Sequence, residues 1–197
     1  MMFRLGLTGS IGMGKSTTAQ MFVDEGCALW DADAAVHRLY SKGGLAVTPL
    51  GAVFPEAVEE GAISRAALRE RIAADDTALK TIEQIVHPLV VQDRGTFTDQ
   101  TQAEIIVFDI PLLFETGGER EMDAVVCVSV PPEIQEQRVL ARGTMTRAEF
   151  DKIRANQMPN DEKCARSDFV IVTDTVEHAR AQVQDVVRQI REKLSHA

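Results

Sequence analysis

A chain of 197 residues bounds the architecture to roughly one domain, with room for an insert, and suffices to bury a sizeable core. Its 45% hydrophobic and 26% charged content is ordinary for a soluble globular protein. A net charge of −9, with one Trp and one Tyr, excludes a broad nucleic-acid or anionic-membrane surface, so a polyanionic ligand must be held by a local cluster of donors.

Residues Phe3–Thr8, FRLGLT, form a short apolar run that predicts a strand. Gly9-Ser10-Ile11-Gly12-Met13-Gly14-Lys15-Ser16 follows, a match to GxxxxGK[ST], and then an amphipathic helical pattern over Lys15–Asp24. In such a P-loop the glycines let the backbone curl until its N–H groups converge on phosphate oxygens, assisted by the positive end of the helix dipole. Lys15 is placed to reach the β- and γ-phosphates, and the Ser16 hydroxyl to ligate magnesium. The strand before and the helix after are the context this motif needs, so a nucleoside triphosphate is the expected ligand.

A second strand is predicted over residues 27–31, running into WDADAAVHR at 30–38. Ligands of a doubly wound sheet gather outside the carboxyl ends of its strands, so Asp31 and Asp33 are expected to face the phosphates. Ala32 between them lets the two side chains diverge, and they need not share a task. Asp33 also immediately precedes a helical pattern, which leaves a helix N-cap as its alternative role.

Residues 34–103 are far more than one crossover helix needs. They hold helical patterns at 34–40, 64–73 and 77–85, with another opening at Pro88 after His87, and read as a helical insert able to hold a substrate. Further strands are predicted at 104–109, 124–130 and 168–172. Their runs EIIVFD, AVVCVSV and DFVIV are nearly continuous in apolar residues, as expected when helices cover both faces of a parallel sheet.

A helix over 132–142 has Pro near its first turn and Gly143 just past its end. The stretch 138–166 is locally basic and fits a mobile lid, with Thr146 and Glu149 as a possible capping box. The last helix, 175–194, carries an apolar stripe too short for a dimerising coiled coil, so docking onto the sheet is expected and a monomer is favoured. The whole alternation is that of an α/β doubly wound, five-stranded parallel sheet. Cys27, Cys127 and Cys164 form no CxxC pair, and neither a signal-peptide core nor a membrane-length segment is evident, so a cytoplasmic setting is expected.

A P-loop alone leaves a switch, a motor and a phosphoryl donor open. No lysine is followed two positions later by aspartate and no DxxG occurs, which removes the usual guanine-reading and switch elements. A small-molecule kinase needs an acceptor-side carboxylate, a substrate-binding insert and a basic lid, and each has a candidate here. An aspartate, with a free pKa of about 3.9, is a weak base for a sugar hydroxyl in the ground state. In a loose phosphoryl-transfer transition state it needs only to orient the hydroxyl and take its proton late.

GLTGSIGMGKST, WDADAAVHR, EEGAISRAALR, IVHPLV, DIPLLFE and a lid containing Gln157 occur in this order over nearly the whole chain. Together they resemble the dephospho-coenzyme A kinase family. The resemblance implies a P-loop kinase fold and transfer of the γ-phosphoryl of ATP, with Mg2+, to the ribose 3′-hydroxyl of dephospho-coenzyme A. It implies that Asp33 is the base and that Thr8, Gly9, Ser10, Ile11, Gly12, Met13, Gly14, Lys15, Ser16 and Thr17 cradle the ATP phosphates. Lys15, Arg138 and Arg142 are implied in charge neutralisation during transfer, and Arg38 and His87 in acceptor binding. Asp109, ending the third large strand, is implied in a water-mediated magnesium contact. His87 has a packing role as its alternative, and Arg138 and Arg142 gain weight by sharing a helix face at i, i+4. Two departures stand out: Ser10 replaces a frequent glycine, and Thr173 and Thr175 stand where Asn and Gly are expected, which leaves the adenine contact open. The rival readings are another small-molecule P-loop kinase, for a nucleoside, nucleoside monophosphate or sugar, and a regulatory nucleotide switch.

Overall fold

The computed structural model describes residues 2–196. In chain order the strands are β1 (Phe3–Thr8), β2 (Ala28–Asp31), β3 (Val58–Glu59), β4 (Ala62–Ile63), β5 (Ile105–Asp109), β6 (Ala124–Ser129) and β7 (Phe169–Val172). Five of them form the predicted parallel sheet, in the order β2-β5-β1-β6-β7. β1 lies at its centre, with Leu5 opposite Val107 of β5 on one side and Ala124 of β6 on the other. The helices are α1 (Lys15–Asp24), α2 (Ala32–Tyr40), α3 (Val47–Val53), α4 (Arg65–Ala74), α5 (Ala78–Gln100), α6 (Pro132–Ala141), α7 (Arg147–Asn156), α8 (Asn160–Ala165) and α9 (Val176–Ser195).

The chain divides into two compact units, one formed before Trp30 and after Thr101, the other by Trp30–Thr101. In the first unit, Leu5, Leu7, Val107 and Val126 of the sheet share a core with Phe22 of α1 and Val183 and Ile190 of α9. The apolar stripe of the last helix is thus spent on the sheet, although its first member, Val176, stays 55% exposed. The second unit has a core of its own, built from Leu39, Leu50, Phe54, Leu68, Ile82 and Val86. Among the described residues no helix is long and apolar enough to cross a membrane.

Pro88 does not start a helix. It lies inside the 23-residue α5, which joins two segments that the sequence suggests are separate. Proline removes one amide and frees the carbonyl of Gln84, but both residues are exposed, where water serves that carbonyl. Ile82 and Val86 before the proline, and Leu89 and Val90 after it, pack against the same core, and this shared burial carries the helix through. The β3–β4 hairpin, α3 and α8 are also absent from the sequence reading. Two-residue strands and one- or two-turn helices are too short for hydrophobic periodicity to register.

Three helices, α6, α7 and α8, span the basic stretch expected as a lid. Pro132 opens α6 at its first helical position, and Gly143, with φ of 64°, follows its end. The capping box at the start of α7 is present: the Thr146 N–H donates to Glu149 Oε2 at 2.7 Å, and the Glu149 N–H donates to Thr146 Oγ1 at 3.3 Å. Helix α8 is tied down by Lys163, which is wholly buried. Its ammonium donates to the Pro111 carbonyl at 2.9 Å and pairs with Glu115 at 2.9 Å. Glu115 also accepts the Met158 N–H at 2.9 Å, and Pro111 also accepts the Thr8 hydroxyl at 3.1 Å. The DIPLLFE segment therefore joins the end of β1 to α8 and the turn before it.

Burial alone would raise the Glu115 carboxyl, but the hydrogen bonds from Lys163 and Met158 outweigh it and hold it below the usual carboxylate range. Removing this partner strands a buried ammonium, so Glu115→Ala is expected to lower unfolding free energy by roughly 2 to 3 kcal/mol. Because the folded pKa is depressed, the carboxylate stabilises the fold above its unfolded pKa and ceases to do so as pH falls through the folded value. Urea unfolding of wild type and Glu115→Gln should therefore differ at neutral pH and converge in acid. Equal midpoints at neutral pH would refute the anchoring role.

Candidate active site

The phosphate loop joins β1 to α1, and its glycines are dictated by space as well as by backbone angle. Gly12 has φ of 77°, and a Cβ there would lie 2.5 Å from Val139 Cγ2. Gly14 has φ of 90° and caps α1, and its Cβ would lie 2.8 Å from Thr173 Oγ1. No L side chain fits either place without displacing the wall behind it. Ser10 makes no such demand, and its side chain is accommodated where a glycine is frequent.

The outward polar groups of the loop are each assigned to a neighbour. The Ser10 N–H donates to Asn160 Oδ1 at 3.1 Å, and the Ile11 N–H to Gln157 Oε1 at 3.2 Å. Gln135 Nε2 donates to the Ile11 carbonyl at 2.8 Å, and Thr173 Oγ1 to the Met13 carbonyl at 2.6 Å. Among the described residues nothing accepts from the amides of Gly12, Gly14, Lys15 or Ser16. These are the groups at the positive end of α1, where first-turn amides have no carbonyl of their own helix to meet.

Lys15 extends from this turn to pair with Asp109, which ends β5 and is 2% exposed. Ser16 and Thr17 beside it are exposed. The loop after β7 accounts for the two unexpected threonines. Thr173 links the Met13 carbonyl to Arg138, whose guanidinium donates to Thr173 Oγ1 at 3.2 Å and to the Thr173 carbonyl at 2.6 Å. Thr175 caps α9, its hydroxyl accepting the His178 N–H at 3.2 Å. Arg138 and Arg142, with Thr17 and Thr173, border a cavity of about 180 Å³ beside the start of α1. The shared face of the two arginines thus has different occupations, since Arg138 is bound to the loop after β7 and Arg142 is exposed at the end of α6.

The acceptor-side candidates belong to the other unit. Asp31, not Asp33, caps α2: its Oδ1 accepts the Ala34 N–H at 2.7 Å. Asp33 sits in the first turn of α2, exposed, and makes no hydrogen bond or ion pair within the described residues. The N-cap alternative thus belongs to its neighbour, and the carboxylate of Asp33 is left for other work. Arg38, one and a half turns further on, is held by Asp93 of α5 through Nη2 at 2.6 Å and Nε at 3.2 Å. The Trp30 indole donates to the same carboxylate at 2.8 Å. Arg38 first, and Trp30 to a smaller extent, hold the Asp93 carboxyl below its usual range. His87 is exposed in the middle of α5, one residue before Pro88, so it is not a packed core histidine.

Several residues here carry no sequence signal. Asp93 lies 55 positions from Arg38, and Gln135 and Asn160 are single amides in otherwise ordinary helices. Gln157 is marked in the sequence only by its place in the stretch expected as a lid. The pairing of Lys163 with Glu115 has no periodic pattern at all.

In sequence and fold the chain is similar to known proteins. A family model described as dephospho-CoA kinase matches residues 3–178. The dephospho-CoA kinase of Ruegeria pomeroyi is 73% identical over 197 residues, the full length of both chains. A crystal structure from Thermus thermophilus is 32% identical with a TM-score of 0.84, covering 95% of this chain and 97% of that one. Dephospho-CoA kinase from Campylobacter jejuni, at 23% identity, shares the fold with a TM-score of 0.72 over 98% and 99% of the two chains. With a family match across most of its length, the chain belongs to the dephospho-CoA kinases.

Proposed function

We propose that this chain transfers the γ-phosphoryl of ATP to the ribose 3′-hydroxyl of dephospho-coenzyme A, with the following division of labour. The observation that carries the reading is a phosphate loop whose anion-facing amides are unclaimed, in a chain that matches dephospho-CoA kinases from end to end. The amides of Gly12, Gly14, Lys15 and Ser16 receive phosphate oxygens, and Lys15 exchanges its contact with Asp109 for the β- and γ-phosphates. The base occupies the cavity between Arg138, Thr173 and Thr17, and Arg142 offsets charge on the transferred group.

Mg2+ takes hard oxygen donors, one or two carboxylates together with substrate phosphates. The Ser16 hydroxyl and the Asp109 carboxylate are of this kind and suit an ion that arrives with ATP. When bound, it would screen charge on the phosphate oxygens. Asp33, free of the capping role, aligns the 3′-hydroxyl and accepts its proton as the new O–P bond forms and the bond to ADP breaks. Arg38, with its fork oriented by Asp93, and His87 receive the acceptor within the 34–103 insert. Residues 138–166 act as the lid, whose closure excludes water that would otherwise compete as acceptor. A monomer in a reducing, cytoplasmic setting fits the docked α9 and the three free cysteines.

The direct test couples ADP release to added acceptor. Dephospho-coenzyme A should stimulate turnover far above buffer, while nucleosides, nucleoside monophosphates and simple sugars should not; equal stimulation by one of these would displace the assignment. Asp33→Asn should keep ATP affinity within a fewfold and lose about 10²- to 10⁴-fold in turnover, the range for a positioned general base. Near-normal turnover in that variant would remove Asp33 from its role. Arg138→Ala should raise KM for ATP by about tenfold, since it deletes charge-assisted bonds that shape the cavity wall. An effect confined to kcat would instead place Arg138 at the transferred phosphoryl.

A further inference from the structure

Cys127 of β6 and Cys164 of α8 lie 37 positions apart in sequence, yet their Sγ atoms approach to 3.6 Å. Both are free thiols. Cys127 is fully buried, and Cys164 is half-buried and open to small solutes. The remaining cysteine, Cys27, packs in the main core of the sheet.

The pair is physically joined to the phosphate loop by one side chain. Asn160 lies one helical turn before Cys164 on α8, at i, i+4, and so on the same face. Its Nδ2 approaches Cys164 Sγ at 3.6 Å and donates to Ser129 Oγ at 3.1 Å. Its Oδ1 is 3.9 Å from the Cys127 thiol and accepts the Ser10 N–H at 3.1 Å. A change at either sulfur is therefore felt at the first turn of the P-loop.

We infer that Cys127 and Cys164 form a dithiol that a hydroperoxide converts to a disulfide, and that the bond weakens ATP binding by drawing Asn160 off the Ser10 amide. The chemistry balances in two steps. The Cys164 thiolate attacks the outer peroxide oxygen, the O–O bond breaks, and the alcohol leaves with a proton, giving a sulfenic acid. Cys127 then attacks that sulfur, the S–O bond breaks, and its proton departs with the hydroxyl as water. Two thiols lose two electrons and two hydrogens, and the peroxide is reduced to alcohol and water. Burial, with Cys164 beside it, pushes the Cys127 thiol up, which suits it to resolve rather than to attack first.

Geometry sets the consequence. A disulfide requires the sulfurs to close from 3.6 Å to about 2.0 Å. Cys127 is held in a strand paired on both sides, so closure beyond side-chain rotation falls to the six-residue α8, which carries both Cys164 and Asn160. A displacement of roughly 1 Å at Asn160 carries its bond to Ser10 from 3.1 Å out of hydrogen-bond range. Disulfides of this kind in a reducing compartment are transient and serve sensing rather than stability.

The full chain is to be treated with hydrogen peroxide, then read by intact mass, by non-reducing peptide mapping and by equilibrium binding of ATP, which does not depend on the acceptor's identity. The expected result is loss of two hydrogens, a peptide pair joining Cys127 to Cys164, and an ATP dissociation constant raised about fivefold, all restored by dithiothreitol. Cys164→Ser and Cys127→Ala should each abolish the cross-link and the change in affinity, while Cys27→Ala should leave both in place. Two variants guard against one failing to fold. Addition of oxygen to Cys164 without a cross-link would overturn the inference, as would a cross-link that leaves ATP affinity unchanged.

Discussion

A loop that binds polyphosphate through its backbone must keep some amides unspent while every other polar group near them is satisfied. The rest of this structure is organised around that constraint. Two glycines are forced because Val139 and Thr173 stand where a Cβ would go. The amides and carbonyls that do not point to the anion are taken by Gln135, Gln157, Asn160 and Thr173, drawn from four separate segments after β6. Each of these bonds is modest, about 1 kcal/mol net, but an unmet buried group would cost more than any one of them contributes. The loop is thus held from behind, and its front is left for a ligand.

The same logic governs charge. The protein carries a net −9 and nevertheless handles polyanions, so its cations cannot be left to repel one another in a broad basic face. They are instead placed one at a time against acids: Lys15 on Asp109, Arg38 on Asp93, and Lys163 on Glu115. The three pairs differ in burial and therefore in meaning. Lys163 is sealed in, so its partner is structural. Arg38 is half exposed, so Asp93 orients its fork while leaving donors for a ligand. Lys15 lies between these, close enough to solvent to make the change of partner that the proposed phosphate contact requires.

The sheet was legible in the sequence because buried parallel strands are continuous apolar runs, and all five lie within a residue of the expected limits. α1 and the capping box of α7 were legible for a similar reason, since each has a local chemical signature. Pro88 misled because a local rule, the loss of one amide, yields to burial on both sides of it. In the site, the P-loop was legible as a motif, whereas the partners of its spare amides were not. Asn160 and Gln157 reach the loop across some 150 residues, and neither amide repeats or alternates in any pattern. Asp31 and Asp33 show the limit most plainly. Two aspartates separated by one residue cannot be ranked until the backbone shows that only the first has the extended conformation of an N-cap.

Thr173 and Thr175 stand where the resemblance leads one to expect Asn and Gly, and their surroundings show what the threonines do. An asparagine at 173 would offer an amide to the loop. A threonine offers one hydroxyl, which both donates to the Met13 carbonyl and accepts from Arg138, so a single atom serves both partners. Its Cβ and methyl group also fill the space against Gly14, at 3.1 and 3.3 Å from where a Cβ of that glycine would be. Glycine at 175 would permit an unusual backbone angle, but here φ is −127° and the residue caps α9, a role for which threonine is better suited than glycine. The two changes are therefore coupled through one loop. Threonine at 173 makes Arg138 part of the wall of the cavity, and threonine at 175 fixes the helix that backs it. With the base placed in that cavity as proposed, its recognition would rest on the shape and charge of that wall.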